Sequence, residues 1–162
     1  MATLAHMANT MVMKRKVEDF VRAVLCEEYG QPFESKFLRL TTGGRHEFDA
    51  VSADGQIVTS IKASSGLTSG GRIPSGKIKD SLAELYYLSL VDAPVRILVL
   101  TTPAFHELFA HFVKGALPNT IKLRLITLPP DLQREVDVVV AIASREVAPR
   151  IRERILPTEI ES

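Results

Sequence analysis

The chain has 162 residues, 46% apolar and 24% charged, with a net charge of +1. That length suits one domain with a single core region, and the near-zero charge excludes a global basic field for nucleic acid. The lone Cys26 excludes an internal disulfide, and no apolar run reaches the roughly 18 residues that span a bilayer.

Elements follow in chain order. Residues 1–10 read as a flexible N-terminus without the apolar core of a signal peptide, which points to a cytoplasmic protein. Thr10 to Tyr29 reads as a helix, with Val17, Phe20, Val21, Val24 and Leu25 on one stripe, Glu18 at its edge and Gly30 as its stop. Phe33 to Leu40 reads as a strand, and Thr41 to Gly44 as a turn.

Residues Arg45 to Lys62 then read as a hairpin around Asp54-Gly55, a pair that favours a two-residue turn with φ > 0 at both positions. That turn would set Val51 opposite Val58, Asp49 opposite Ser60 and Glu47 opposite Lys62. Strand alternation would then place Glu47, Asp49, Ser60 and Lys62 on one face. His46, Phe48, Ala50, Ile57, Thr59 and Ile61 would take the other, so His46 is not read as a ligand. Carboxylates beside a lysine on a sheet can hold a divalent cation and activate water. Plain cross-strand ion pairing on a solvated face is the alternative.

Residues 63–76 form a loop rich in Ser and Gly, predicted to be the most mobile internal segment. Its Arg72, with Lys77 and Lys79 just beyond, is a candidate phosphate-binding group. A helix from Lys77 to about Val91 follows, with Ser75 as N-cap and Ile78, Leu82, Leu85 and Ser89 as its stripe, Tyr86 alongside. Val95 to Leu100 is an apolar run suited to a strand covered on both faces. Thr102-Pro103 starts a helix that presents Phe105, Leu108, Phe109, Phe112 and Val113. Ile121 to Leu128 reads as a strand. Leu132 to Val147 reads as a helix by spacing after Asp131, although its valines also suit a strand. Residues 149–162 read as a charged, partly ordered tail. Residues 1–162 thus form one domain of order α-β-β-β-α-β-α-β-α: an α/β fold with an α+β-like start, a mixed sheet and helices on both faces.

That order, with Asp49 on one strand and Ser60-Ile61-Lys62 on the next, resembles the PD-(D/E)XK nuclease superfamily, whose fold is restriction-endonuclease-like. The resemblance covers roughly residues 10 to 128. Asp49 and Lys62 match the motif, whereas Ser60 stands where the family carries a second acid. The resemblance implies Mg²⁺ or Mn²⁺ as cofactor, held by Asp49 and the main-chain carbonyl of Ile61, with Glu47 or Glu18 replacing the missing acid. Lys62 would steady the attacking water or the phosphoryl charge. The implied activity is endonucleolytic hydrolysis of DNA by a homodimer, and Ser60→Glu would restore the family pattern. A degenerate member that binds nucleic acid or assembles with protein is the alternative. A Ser60/Lys62 hydrolase dyad is a third idea, without a visible oxyanion hole.

Overall fold

The computed structural model describes residues 2–64 and 73–155. Among them are four helices and five strands in the expected order: α1 (Ala2–Tyr29), β1 (Phe33–Arg39), β2 (Arg45–Ser52), β3 (Ile57–Lys62), α2 (Ser75–Ser89), β4 (Val95–Leu100), α3 (Pro103–Phe112), β5 (Ile121–Leu125) and α4 (Pro130–Ile155). No helix among the described residues is long and apolar enough to cross a membrane.

The strands form one sheet in sequence order, β1-β2-β3-β4-β5. β1–β2 and β2–β3 are antiparallel hairpin pairings, and β3–β4 and β4–β5 are parallel, each joined through a helix. Each sheet face carries its own core. Val17, Val21 and Leu25 of α1 and Val136 of α4 pack against Ala50, Ile57, Ile61, Ile97 and Val99. Ile78, Leu85 and Leu88 of α2 and Phe105 and Phe109 of α3 pack against Phe48, Val51, Val58, Leu98 and Leu100. β4 lies between them, which is why its sequence runs apolar instead of alternating. Its one cation, Arg96, reaches the end of α2 and donates to the carbonyls of Leu88 at 3.1 Å and Val91 at 3.4 Å.

Local expectations differ in five places. α1 begins at Ala2, eight residues ahead of its expected start at Thr10. Gly30 closes it as expected, with φ +68° and its N–H on the carbonyl of Cys26. α2 starts at Ser75 itself; Pro74 is the N-cap and no side chain caps the end. Its buried face is Ile78, Ser81, Leu85 and Leu88, whereas Leu82 and Tyr86 are exposed. The small Ser81 takes the sheet-facing position, turning the helix away from the stripe that its larger side chains suggest. α3 buries Phe105 and Phe109 but leaves Phe112 exposed. β5 ends at Leu125, and residues 132–147 are helical within an α4 that runs through Pro149 to Ile155.

Candidate functional site: a cleft in the fork between β2 and β3

The site is shaped by how the hairpin departs from ideal pairing. Its turn is not the two-residue type expected, because Gly55 alone has positive φ, at +72°. Gly55 N–H donates to the carbonyl of Ser52 at 2.9 Å. The Asp54 carboxylate accepts the Gln56 N–H at 3.0 Å and the Ser52 hydroxyl at 2.7 Å. Those bonds, the Gln56 N–H first, hold its acid below the usual carboxylate range. The wider loop keeps the expected register: Val51 opposes Val58 and Ala50 opposes Thr59.

Beyond Ala50 the two strands part. Their ladder has only those two residue pairs, although β2 continues back to Arg45 and β3 onward to Lys62. β2 instead follows β1 as far as Arg39–Arg45, and β3 follows β4 as far as Lys62–Leu100. The cause is a bulge. On β1 the partners step from Glu34 to Lys36, while on β2 they step from Val51 to Phe48. The extra residue lies at Asp49–Ala50, and such an insertion bends the strand and reverses facing beyond it.

That reversal overturns the single-face arrangement expected from the turn. Phe48 and Val51 both enter the α2/α3 core, while Ala50 enters the α1/α4 core. His46 therefore lies on the α2 side, stacked on Tyr87 with ring centroids 3.7 Å apart and planes 5° apart. Glu47, between His46 and Phe48, points to the opposite side and accepts a hydrogen bond from the Ser35 hydroxyl at 2.6 Å. It does not pair with Lys62. Ser60 is fully buried, and its hydroxyl has no hydrogen-bond partner. It does not line the cleft, so it offers no ligand or nucleophile there. A glutamate at that position would place a charge inside the core.

The fork holds a cleft of about 390 Å³. Lys14 and Glu18 of α1, Arg45, His46, Glu47 and Asp49 of β2, Ile61 and Lys62 of β3, and Glu84 of α2 line it, with Ser35 and Phe37 at the β1 rim. Asp49 sits at its base. Its carboxylate takes the N–H of Ile61 at 2.7 Å, a bond that replaces the missing ladder pair. Its carbonyl accepts from Arg22 Nε at 2.8 Å, which ties the bulge to α1. Burial pushes the Asp49 acid up to about 6; the Ile61 N–H pulls it down, and Glu18 and Glu84 push it up again. Glu18 is held by Arg22 at 3.1 Å and Lys14 at 3.7 Å. Lys62 Nζ lies 3.2 Å from Glu84 Oε1, and His46 Nε2 lies 3.5 Å from Glu84 Oε2, an ion-pair distance outside hydrogen-bond geometry.

No family model, curated protein or solved structure matches the chain. Of the residues selected from sequence, Asp49, Lys62, Glu18, Glu47 and Ile61 line one cleft, although Glu47 faces away from Lys62. Lys77 and Lys79 lie in the first two turns of α2 outside the cleft lining, and Lys77 is held below the usual lysine range by burial. Arg72 and most of the Ser/Gly loop lie outside the described residues.

Sequence reading missed Glu84 and misplaced His46. Glu84 directly precedes the buried Leu85, at the edge of a buried stripe, as Glu18 directly follows the buried Val17. That edge position is the available sequence signal, and only the packing of α2 on β3 makes it specific. A larger cavity of about 830 Å³ opens along β5 beside α3. Its one carboxylate, Glu28, is already bonded to Arg124, so the fork carries the richer chemistry despite its smaller volume.

Proposed function

We propose that the chain is a nuclease of the PD-(D/E)XK type, whose fork cleft hydrolyses DNA phosphodiester bonds with Mg²⁺ or Mn²⁺. The observation that carries this reading is the convergence of Glu18, Asp49, Glu84 and Lys62, from four different elements, on one cleft. Glu18 and Glu84 add to the raised proton affinity of Asp49, and a carboxylate so placed favours a bound cation. The donors are hard oxygens, as a Mg²⁺-type ion requires. Among the described residues no group of three His, Cys, Asp or Glu side chains stands close enough to enclose an ion. A cation there would be held by one or two carboxylates, solvent and a substrate phosphate instead of a closed protein cage.

In this reading Asp49 is the principal ligand and the Ile61 carbonyl a second donor. Glu84 supplies the acid that β3 lacks at Ser60. The bound ion would neutralise phosphate charge and make water more acidic. Lys62 releases Glu84 and turns its ammonium towards the phosphoryl oxygens, where charge grows during displacement. Arg22 fixes the bulge through the Asp49 carbonyl, and His46, stacked on Tyr87, lies beside Glu84 at the cleft.

Plasmid nicking in Mg²⁺ or Mn²⁺ tests the reading. Asp49→Ala should abolish nicking, Glu84→Gln should lower it by roughly 100-fold or more, and Lys62→Ala should slow it with metal binding retained. Intact plasmid under all these conditions would refute the activity. A second reading, a degenerate binding or assembly module of the same fold, draws on the pairs already made in the cleft. Lys62 is neutralised by Glu84 and Glu18 by Arg22. It predicts DNA retention without cleavage, unaffected by chelators.

A further inference from the structure

The cavity of about 830 Å³ along β5 wraps the edge of the sheet. Its lining takes Val113, Leu117 and Leu123 from the α2/α3 core, and Tyr29 and Ile97 from the α1/α4 core. A hollow that touches both cores passes around the last strand of the sheet, and β5 is that strand. Among the described residues no strand lies beyond it.

The hydrogen bonds of β5 show which of its groups face the hollow. Ile126 N–H donates to the Leu100 carbonyl of β4 at 3.0 Å. Alternate residues of a strand direct their N–H and C=O to opposite sides, so Lys122 and Arg124 bond towards β4, whereas Ile121, Leu123 and Leu125 turn theirs outward. The Pro118 carbonyl takes the Ile121 N–H at 3.0 Å. Leu123 and Leu125 are left as the ladder groups of an open edge. The side chains alternate as well. Ile121 and Leu123 join the α2/α3 core, while Lys122 lies level with Ile97 and Arg124 with Val99 on the opposite face. Arg124 is bonded to Glu28 of α1. Lys122, and Lys114 just past α3, are exposed and have no carboxylate partner among the described residues.

We infer that β5 receives an extended segment of a partner protein as a sixth strand, with apolar side chains turned to α3 and acidic ones turned to Lys122. In strand addition main-chain bonds give affinity and alternate side chains give specificity. Leu123 and Leu125 offer the first, and the leucine and lysine faces of β5 offer the second. About 17 Å of added strand covers the five residues of β5. Charge chooses the occupant. The β5 of a second copy would set Lys122 and Arg124 against their like, which opposes pairing. An acidic segment instead meets two unpaired lysines. Nucleic acid fits less well, because a phosphate backbone carries nothing to cover Val113, Leu117 and Leu123.

Amide NMR titration of the full chain tests the inference away from the fork, and so independently of nuclease activity. The probe is a peptide of alternating valine and glutamate with valine at both ends. It should shift the Leu123 and Leu125 amides and slow their exchange with solvent. Lys122→Glu, at an exposed residue, should weaken that peptide by at least about 10-fold and should bind the valine–lysine counterpart instead. Methylating the peptide's backbone nitrogens should also cost at least about 10-fold, because it removes the strand bonds and keeps the charge. Leu123 and Leu125 amides that stay unmoved at about 1 mM peptide would overturn the inference. So would equal binding of the valine–lysine peptide by wild type, an affinity unchanged in Lys122→Glu, or a methylated peptide that binds as well. An oligothymidylate that shifts the same amides at lower concentration than the peptide would assign the groove to nucleic acid and equally overturn it.

Discussion

The two halves of the sheet are built by different rules. In the parallel half, β3, β4 and β5 pair over their full lengths, and β4 buries side chains on both faces. In the hairpin half, β1 is exposed along most of its length, and β2 carries a bulge and leaves its neighbour after two pairs. The first half is a frame. The second bends away from it, and the charged groups collect where they part. Regular pairing leaves no room for a carboxylate between strands; at Asp49 a side chain takes a backbone partner's place. The cleft thus follows from irregularity in one half and rigidity in the other.

Substitutions in the frame should have the largest effect. Leu98, fully buried on β4, should cost about 3–5 kcal/mol when changed to alanine, measured by chemical denaturation. Ser60→Glu should destabilise by a similar amount, because it buries an unpaired charge in β3. A loss below about 1 kcal/mol for either would mean that the parallel half is not the frame.

Asp49→Asn should act in the opposite direction. The folded acid is raised from 3.8 to about 6, so the fold favours protonated Asp49. That contribution is complete below about pH 4 and is lost as pH rises through about 6. Asparagine mimics the protonated form and can still accept the Ile61 N–H. At pH 7 the variant should therefore be about 1–3 kcal/mol more stable than wild type, with the gap closing below pH 4. A variant less stable than wild type at pH 7 would show that the cleft is not strained by its charges.

The hairpin half should respond weakly elsewhere. Gly55→Ala places a side chain at φ +72° and should cost about 1 kcal/mol. Phe37→Ala, at the exposed rim, should change stability by less than about 0.5 kcal/mol. Thermal melts of both, compared with Leu98→Ala, would sharpen the contrast between the halves.

Much of the frame was legible in the sequence. The order of all nine elements follows from helical stripes, the apolar run at 95–100 and the Asp54-Gly55 turn, whose register survives at Val51–Val58 although its type differs. The site was legible only in outline. Asp49 and Lys62 were identified by residue type within strands, but the bulge carries no glycine to mark it, and Ala50 reads like any strand residue. Missing it assigns Glu47 to the wrong face and His46 away from the cleft. Glu84 was hidden for another reason: it reaches Lys62 through the seating of α2, which rests on Ser81 rather than on the larger Leu82. Contacts between residues more than twenty positions apart are set by packing, and single-residue patterns do not encode them.

Mn²⁺ titration followed by calorimetry at pH 7.5 tests the proposed cation site in the fork most directly. Wild type should bind, with affinity falling as pH drops through about 6 and Asp49 takes up its proton. Lys62→Ala should keep binding, and Asp49→Ala should lose it. Heat from the wild type that persists unchanged in Asp49→Ala, or a flat wild-type titration at pH 7.5, would contradict the account.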